Sequence, residues 1–459
     1  MKEKSLFIAF ALLCAIALVS CNGNNNGGEG EPGNGDGHEN NIESAYYNIL
    51  YDMKKPALEV VDVVFSNYGD NVSFNLIKNK IVDNINDLTE EIELELGIQD
   101  VELYYRKINY SYNSIDIGAN PIELSSVALW YGYYVGSDTT WHDLAPEKIC
   151  LMEHYTITSD HESPTQGFPL ELFITGNTLT VMPDYIGYGL TRHLNHPYLN
   201  HDICATNSID ALPAAYTLFD EMSGVDLNED WTLCVLGASQ GGGNALAIHK
   251  MMDNNPELAE TWNFEYSFAA AGSHNPLLTI EKYLEKGKVA NPVVLPFTIK
   301  GMFESYPEIL GKYDEEMMLA DSYLKVKDSI DQMLMSKNYT TSEINAAFYE
   351  YVRVTIDETL AADEVYLTDI FSDEMFDTES EMVQDLYLCL EKNNLTKGWM
   401  PTHPIKLYYS VADRTVPYEN SISVKEAFGD MVTMNETAEP VDHILACGLW
   451  MMRILNQGI

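Results

Sequence analysis

A chain of 459 residues that is 46% hydrophobic can bury a large core and is long enough for up to about three domains, which excludes a disordered protein. Its formal charge of −44 makes the surface repel polyanions, so nucleic acid and anionic membrane faces are excluded as partners.

The N-terminus carries Lys2 and Lys4, an apolar run from Leu6 to Val19, and then Ser20 and Cys21. This is the layout of a secretory signal, and the run is too short for an ordinary spanning helix. Its last residues, LVSC, resemble the lipobox of bacterial lipoproteins. That resemblance implies a signal peptide over 1–20, a lipid on Cys21, and display in the bacterial cell envelope on the periplasmic or the outer-surface side. A plain signal peptide with an incidental cysteine is the alternative. Residues 21–42 are Gly/Asn-rich and nearly free of apolar side chains, as a flexible tether is.

The remaining cysteines, Cys150, Cys204, Cys234, Cys389 and Cys447, have no framework spacing, and Cys150 and Cys234 sit in apolar strand-like runs as buried thiols do. No CxxC or HExxH pattern occurs, so neither a metal nor another cofactor is expected.

Residues 43–96 read as a helical segment, with Leu58, Val61, Val64 and Phe65 and then Ile77, Ile81, Ile85 and Leu88 at helix-like intervals. No chemistry attaches to them. From Val101 the period changes: VELYYRKINYSYNSIDI and ELSSVALWYGYYV are aromatic and β-branched, are separated by GANP, and read as a hairpin opening a sheet. KICLMEH, TLTVMPD, a helix around Ile203 to Met222, WTLCVLG, a helix after Ser239, and FEYSFAAAG then follow. Strand runs bounded by helices in this order argue an α/β fold, a largely parallel sheet covered on both faces. Residues 276–402 break the rhythm with helical patterns such as DSIDQMLMSKN and SEINAAFYEYVRV, and the strand signal returns at PIKLYYSV. The expected division is a core over 97–275 and 403–459, interrupted by a helical cap.

The stretch VLGASQGGGNALA places Ser239 between Gly237 and Gly241, with a strand before it and a helix after it. A serine hydroxyl is a poor nucleophile unless it is presented to a base, and glycines on either side let the chain bend sharply enough to expose it. The alternative is a Gly-rich turn whose serine caps a helix.

This strand–bend–helix resembles the nucleophile elbow of the α/β-hydrolase superfamily, whose triad runs Ser, Asp or Glu, His. The resemblance implies Ser239 as nucleophile. It implies Asp413, where PIKLYYSVADRTVPY leaves its strand for a Val-Pro turn, as acid, and His443, just before the apolar helix of EPVDHILACGLWMM, as base. Asp442 is the rival acid, but side chains adjacent in sequence rarely face each other, and it reads better as a helix cap. His249 lies too far along the helix after Ser239, roughly 15 Å at about 1.5 Å per residue, and His403 precedes a strand. The oxyanion donors implied are the amide of Gln240 and one from the loop that begins with His154 and Tyr155, where many relatives have HG.

TVMPDYIGYGLT, HPYL, a helix containing Asp210 and GASQGG together resemble the secretory lipase group of that superfamily and its bacterial lipoprotein and cell-wall esterase relatives, from about Val101 to the C-terminus. On physical grounds Asp184, Gly187 and Gly189 are turn residues. The resemblance implies a lid over the cap residues and cleavage of carboxylic esters of a small molecule, a lipid or a polysaccharide; the triad alone implies only acyl transfer. A peptidase or amidase on the same triad, or a catalytically silent surface-binding protein, are the alternatives. Arg192 with His193 could make the cleft basic against the global charge.

Overall fold

The structure is a computed structural model that describes residues 44–66 and 72–459. The signal-like segment, the tether and Cys21 lie outside the described residues.

Among the described residues the strands form a ten-stranded sheet. Its strands are β1 (Asn48–Pro56), β2 (Val101–Ile115), β3 (Pro121–Val135), β4 (His142–Asp143), β5 (Lys148–Glu153), β6 (Thr178–Pro183), β7 (Thr232–Ala238) and β8 (Phe264–Ala270). Two further short strands, β9 (Lys288–Val289) and β10 (Val365–Tyr366), lie in the cap, and β11 (Ile405–Tyr409) and β12 (Val432–Glu436) complete the main sheet. The spatial order is β1-β2-β3-β6-β5-β7-β8-β11-β12, with β4 on β3. In that order β1, β2, β3 and β6 pair antiparallel, and β6, β5, β7, β8, β11 and β12 pair parallel.

The expected hairpin is β2–β3, in register from Val101↔Val135 to Ile115↔Pro121. Its turn closes on Asp116, which accepts from the Asn120 amide at 2.8 Å, with Ala119 in the left-handed region at φ 59°. This hairpin does not open the sheet, however. β1 does, and the helical reading of 43–96 fails over Asn48–Pro56. Ile49, Leu50 and Tyr51 are exposed on this edge strand, so burial imposes no period on its sequence, and among the described residues it pairs with the distant β2 alone.

Helices cover both faces, which is why the parallel strands are apolar on both sides. On one face α3 (His201–Met222) and α4 (Gln240–Asn254) bury Leu212, Leu218, Leu246 and Ile248 against Leu151, Val181 and Val235. On the other, α1 (Ala57–Ser66) packs on β2 and on α2 (Val72–Leu96), and α2 packs on the C-terminal helix, so that Val61, Phe65, Ile77, Ile81 and Ile85 share one core with it. The helical period seen in the sequence is therefore core-facing from Val60 onward, while Leu58 stays 42% exposed.

The cap has its own core around Met302, Tyr323, Phe348 and Leu367. Its main helices are α5 (Pro276–Lys286), α6 (Val294–Ser305), α7 (Lys327–Ser336), α8 (Thr341–Ala347) and α9 (Glu381–Lys392). It is not wholly helical: β9 and β10 pair antiparallel within it. Two residues per strand are too short to leave a period of their own. The core closes with α10 (Glu419–Phe428) and α11 (His443–Gln457). Among the described residues Cys150, Cys204, Cys234, Cys389 and Cys447 are free thiols, and no helix is long and apolar enough to cross a membrane.

Candidate active site

Ser239 sits between β7 and α4 with φ 57° and ψ −121°, a conformation rarely adopted by a residue with a side chain and one that needs support from its surroundings. The support is visible. Its amide donates to Ala270 O at the end of β8 at 2.8 Å, and its carbonyl accepts from Gly243 at 3.2 Å. A Cβ on Gly237 would lie 2.2 Å from Gly241 O, and one on Gly241 would lie 2.1 Å from Glu153 O. Both obstacles are backbone, so the two glycines are required by close approach.

His443 is the first residue of α11, and its Nε2 lies 2.8 Å from Ser239 Oγ. Its Nδ1 lies 2.7 Å from Asp413 Oδ2. The other carboxylate oxygen, Oδ1, accepts from the amides of Thr415 and Val416, each at 2.8 Å, which fixes the carboxylate plane. A carboxylate is an acceptor only, so Nδ1 carries the hydrogen and Nε2 is left as acceptor for the serine hydroxyl. Burial pushes the His443 pKa down, but the charge and hydrogen bond of Asp413, with the charge of Asp442, outweigh it and raise the pKa above the ordinary value.

Asp442 caps α11, accepting from the His443 amide at 2.8 Å, and its carboxylate is taken by Arg414, whose Nε lies 3.2 Å away. The same guanidinium reaches into the cap, with Asp363 Oδ2 at 2.7 Å and Glu364 Oε1 at 3.6 Å. Arg414 thus ties the loop of Asp413 to the helix of His443 and to the cap. Tyr283 and Asn291 of the cap also hold Thr415 by hydrogen bonds.

A second Ser-His-Asp grouping exists: His249 lies 2.8 Å from Ser267 Oγ and 3.0 Å from Asp253, which also bonds His403 and the Thr402 amide. Ser267 and His249 are fully buried and do not border the cavity that contains Ser239, so this grouping is read as structural.

Gln240 opens α4, so its amide belongs to the first turn, where no intrahelical acceptor exists. Its side chain lies 2.7 Å from His196 Nε2, and His196 Nδ1 donates to Ile186 O at 2.8 Å. A Cβ on Gly187 would meet His196 N at 2.9 Å, and one on Gly189 would meet Asp184 Oδ2 at 2.1 Å. The DYIGYG and HPYL segments therefore fold onto each other and brace the elbow, a role their separation in sequence conceals. Asp184 is buried, which raises its pKa to about 6, and it accepts from Ser125 at 2.6 Å; this is a structural position.

His154 is turned away from Ser239. Its ring stacks on Tyr185 with centroids 3.9 Å apart, its Nδ1 donates to Tyr155 O at 2.7 Å, and burial lowers its pKa to about 4. Tyr155 and Thr156, beside it, border the same cavity as Ser239, Gln240 and His443. That cavity measures about 280 Å³ and is mostly apolar. Arg192 and His193 are not on it: Arg192 is on the surface, with Asp160 at 3.7 Å and Ser336 O and Asn338 at 3.4 Å each. Among the described residues no cluster of three His, Cys, Asp or Glu side chains is placed to hold a metal.

The sequence matches no protein-family model and no curated protein sequence. Solved structures do resemble it. The rice cell wall degrading esterase LipA from Xanthomonas oryzae superposes with a TM-score of 0.60 at 16% identity, over 90% of this chain and 97% of that one. A protein of Legionella pneumophila described as a hydrolase superposes with a TM-score of 0.58 at 18% identity, over 90% and 96%. The chain has the α/β-hydrolase fold: a mostly parallel central sheet flanked by helices.

Proposed function

We propose that the protein is a carboxylic ester hydrolase that works through a covalent acyl-enzyme on Ser239. The observation that carries this reading is the continuous hydrogen-bonded chain from Ser239 Oγ through His443 to Asp413, set on the wall of an apolar cavity.

Ser239 Oγ attacks the ester carbonyl carbon as His443 Nε2 takes its proton, and the carbonyl oxygen becomes an oxyanion. The Gln240 amide is assigned as one donor to that oxyanion and the loop at Tyr155 and Thr156 as the source of the second. Collapse of the intermediate breaks the bond to the alcohol oxygen, which leaves with the proton from His443. Water then repeats the sequence on the acyl-enzyme, releasing the acid and restoring Ser239. Asp413 holds the imidazole tautomer throughout and stabilises its cation.

The Lys-flanked apolar run and LVSC support a lipid anchor on Cys21 in the bacterial cell envelope, with the Gly/Asn-rich segment as spacer.

Nitrophenyl esters of rising chain length, run beside peptide amides and acetylated polysaccharides, test the reaction class. Ester turnover should fall about 10⁴-fold or more in Ser239→Ala while the protein stays folded; turnover of amides alone would replace the ester reading with a peptidase. Fatty-acid labelling that is lost in Cys21→Ser supports the anchor, and an unlabelled wild type contradicts it.

A further inference from the structure

We propose that the acyl part of the ester is a slender hydrocarbon chain that runs from Ser239 beside the first turns of α11, in a groove whose other wall is the N-terminal helix α2, and that Gly448 limits the length of chain the groove takes. This inference rests on the ester-hydrolase reading above.

The cavity that contains Ser239 and His443 is also bordered by Gly448, Met451 and Met452 of α11 and by Phe74, Leu76 and Ile77 of α2. The two helices run parallel. Ile77 is beside Gly448, and further along the same pair Asn84 Nδ2 donates to Leu455 O at 3.0 Å. Beyond the cavity Ile81 and Ile85 join Trp450 and Ile454 in a closed core, so the groove has an end. At the other end Leu76 and Ile444 border the cavity and are 56% and 47% exposed, which gives it an apolar mouth.

From His443 to Met452 the groove follows α11 for about 14 Å at 1.5 Å per residue. That is the span of roughly ten carbon–carbon bonds at about 1.3 Å of advance each. The whole cavity, about 280 Å³, is shared between this groove and the cap side, where Tyr198, Ile280 and Val293 border it, so the groove itself is narrow. Among the described residues no Asp, Glu, Lys or Arg lines the cavity, in a chain with formal charge −44. A charged acyl group would be desolvated there without a partner, whereas a hydrocarbon is favoured.

Gly448 is the feature that packing alone does not require. A glycine inside a helix is a destabilising choice, and a Cβ added here would meet only Ile77 Cδ1, at 4.0 Å. The space that a larger side chain would fill is the groove itself.

The test is the chain-length profile of nitrophenyl esters from acetate to laurate, measured with the full mature protein. Gly448→Leu should lower kcat/KM for octanoate to laurate at least tenfold and leave acetate within twofold. Leu76→Asp, at the exposed mouth where folding is not at stake, should also lower the long esters more than acetate. If a thermal melt shows that Gly448→Leu does not fold, Gly448→Val and Leu76→Asp decide. A profile unchanged in the folded variants, or an equal loss on acetate and laurate, overturns the groove while Ser239-dependent acetate turnover leaves the ester reading standing. A wild type that turns over no ester at any length overturns both.

Discussion

His443 turns its Nδ1 to Asp413 at 2.7 Å, thirty residues away along the chain, and not to the adjacent Asp442. Asp442 instead caps α11 and pairs with Arg414. Asp413→Asn should therefore lower kcat/KM by about 10⁴-fold, by removing the acceptor that fixes the tautomer, while Asp442→Asn should cost less than about tenfold. In the wild type kcat/KM should rise with pH as His443 loses its proton, with a midpoint above the ordinary histidine value. In Asp413→Asn burial and the smaller effect of the Asp442 charge remain while the charge and hydrogen bond of Asp413 are lost, so the midpoint of the residual activity should move down. Steady-state kinetics across pH for both variants check the ranking and the shift.

Arg414 bridges Asp442 to Asp363 of the cap while its neighbour Asp413 holds the imidazole. Arg414→Gln should loosen this junction, lowering stability by about 1–2 kcal/mol and kcat/KM on the order of tenfold through misplacement of the triad loops. Asp363→Asn should reproduce part of both effects from the cap side. Denaturant melts and kinetics on the two variants check this.

Glu153, at the end of β5 beneath the elbow, is fully buried, and the polar groups near its carboxyl, Ser208, Tyr185 and Asn244, do not offset the loss of water. Burial raises its pKa from 4.5 to about 7. Below pH 4.5 the group is protonated in both the folded and the unfolded chain. Between 4.5 and 7 only the unfolded chain loses the proton, so stability falls as pH rises through this window. Glu153→Gln should relieve the loss, stabilising the protein at pH 8 relative to wild type by on the order of 3 kcal/mol, with little difference near pH 4. Melts at the two pH values measure it.

With a formal charge of −44 and no Lys or Arg among the described residues of the cavity wall, an anionic ester is repelled on approach. Raising salt from about 0.01 M to about 0.15 M shortens screening from roughly 30 Å to roughly 8 Å. For an anionic ester kcat/KM should rise over this range, and a neutral ester of the same acyl length should change little. A fall for the anionic ester would reveal a basic approach path.

The elbow is legible in the sequence because strand, bend and helix lie within one short run, and Asp413 and His443 each sit at the junction of an apolar run with a turn. β1 is not legible: its exposed side chains follow no burial period, and its partner β2 comes only after two helices. The Arg414 junction is hidden for a related reason, since its carboxylates come from the cap and from α11. The aromatic packing that turns His154 away, and the His196 contact that braces Gln240, depend on segments far apart in sequence that meet only in the folded chain. The buried Ser267–His249–Asp253 grouping shows that residue types alone do not define such a site; access to a cavity separates the two.

The most direct measurement is mass spectrometry of the intact protein and its peptides after reaction with a fluorophosphonate. The expected result is one adduct, on Ser239, that is absent in Ser239→Ala and forms far more slowly in His443→Ala, with ester turnover lost in proportion to labelling. No adduct on native protein, an adduct on another residue, or ester turnover that survives in Ser239→Ala would contradict the assignment of Ser239 as the nucleophile.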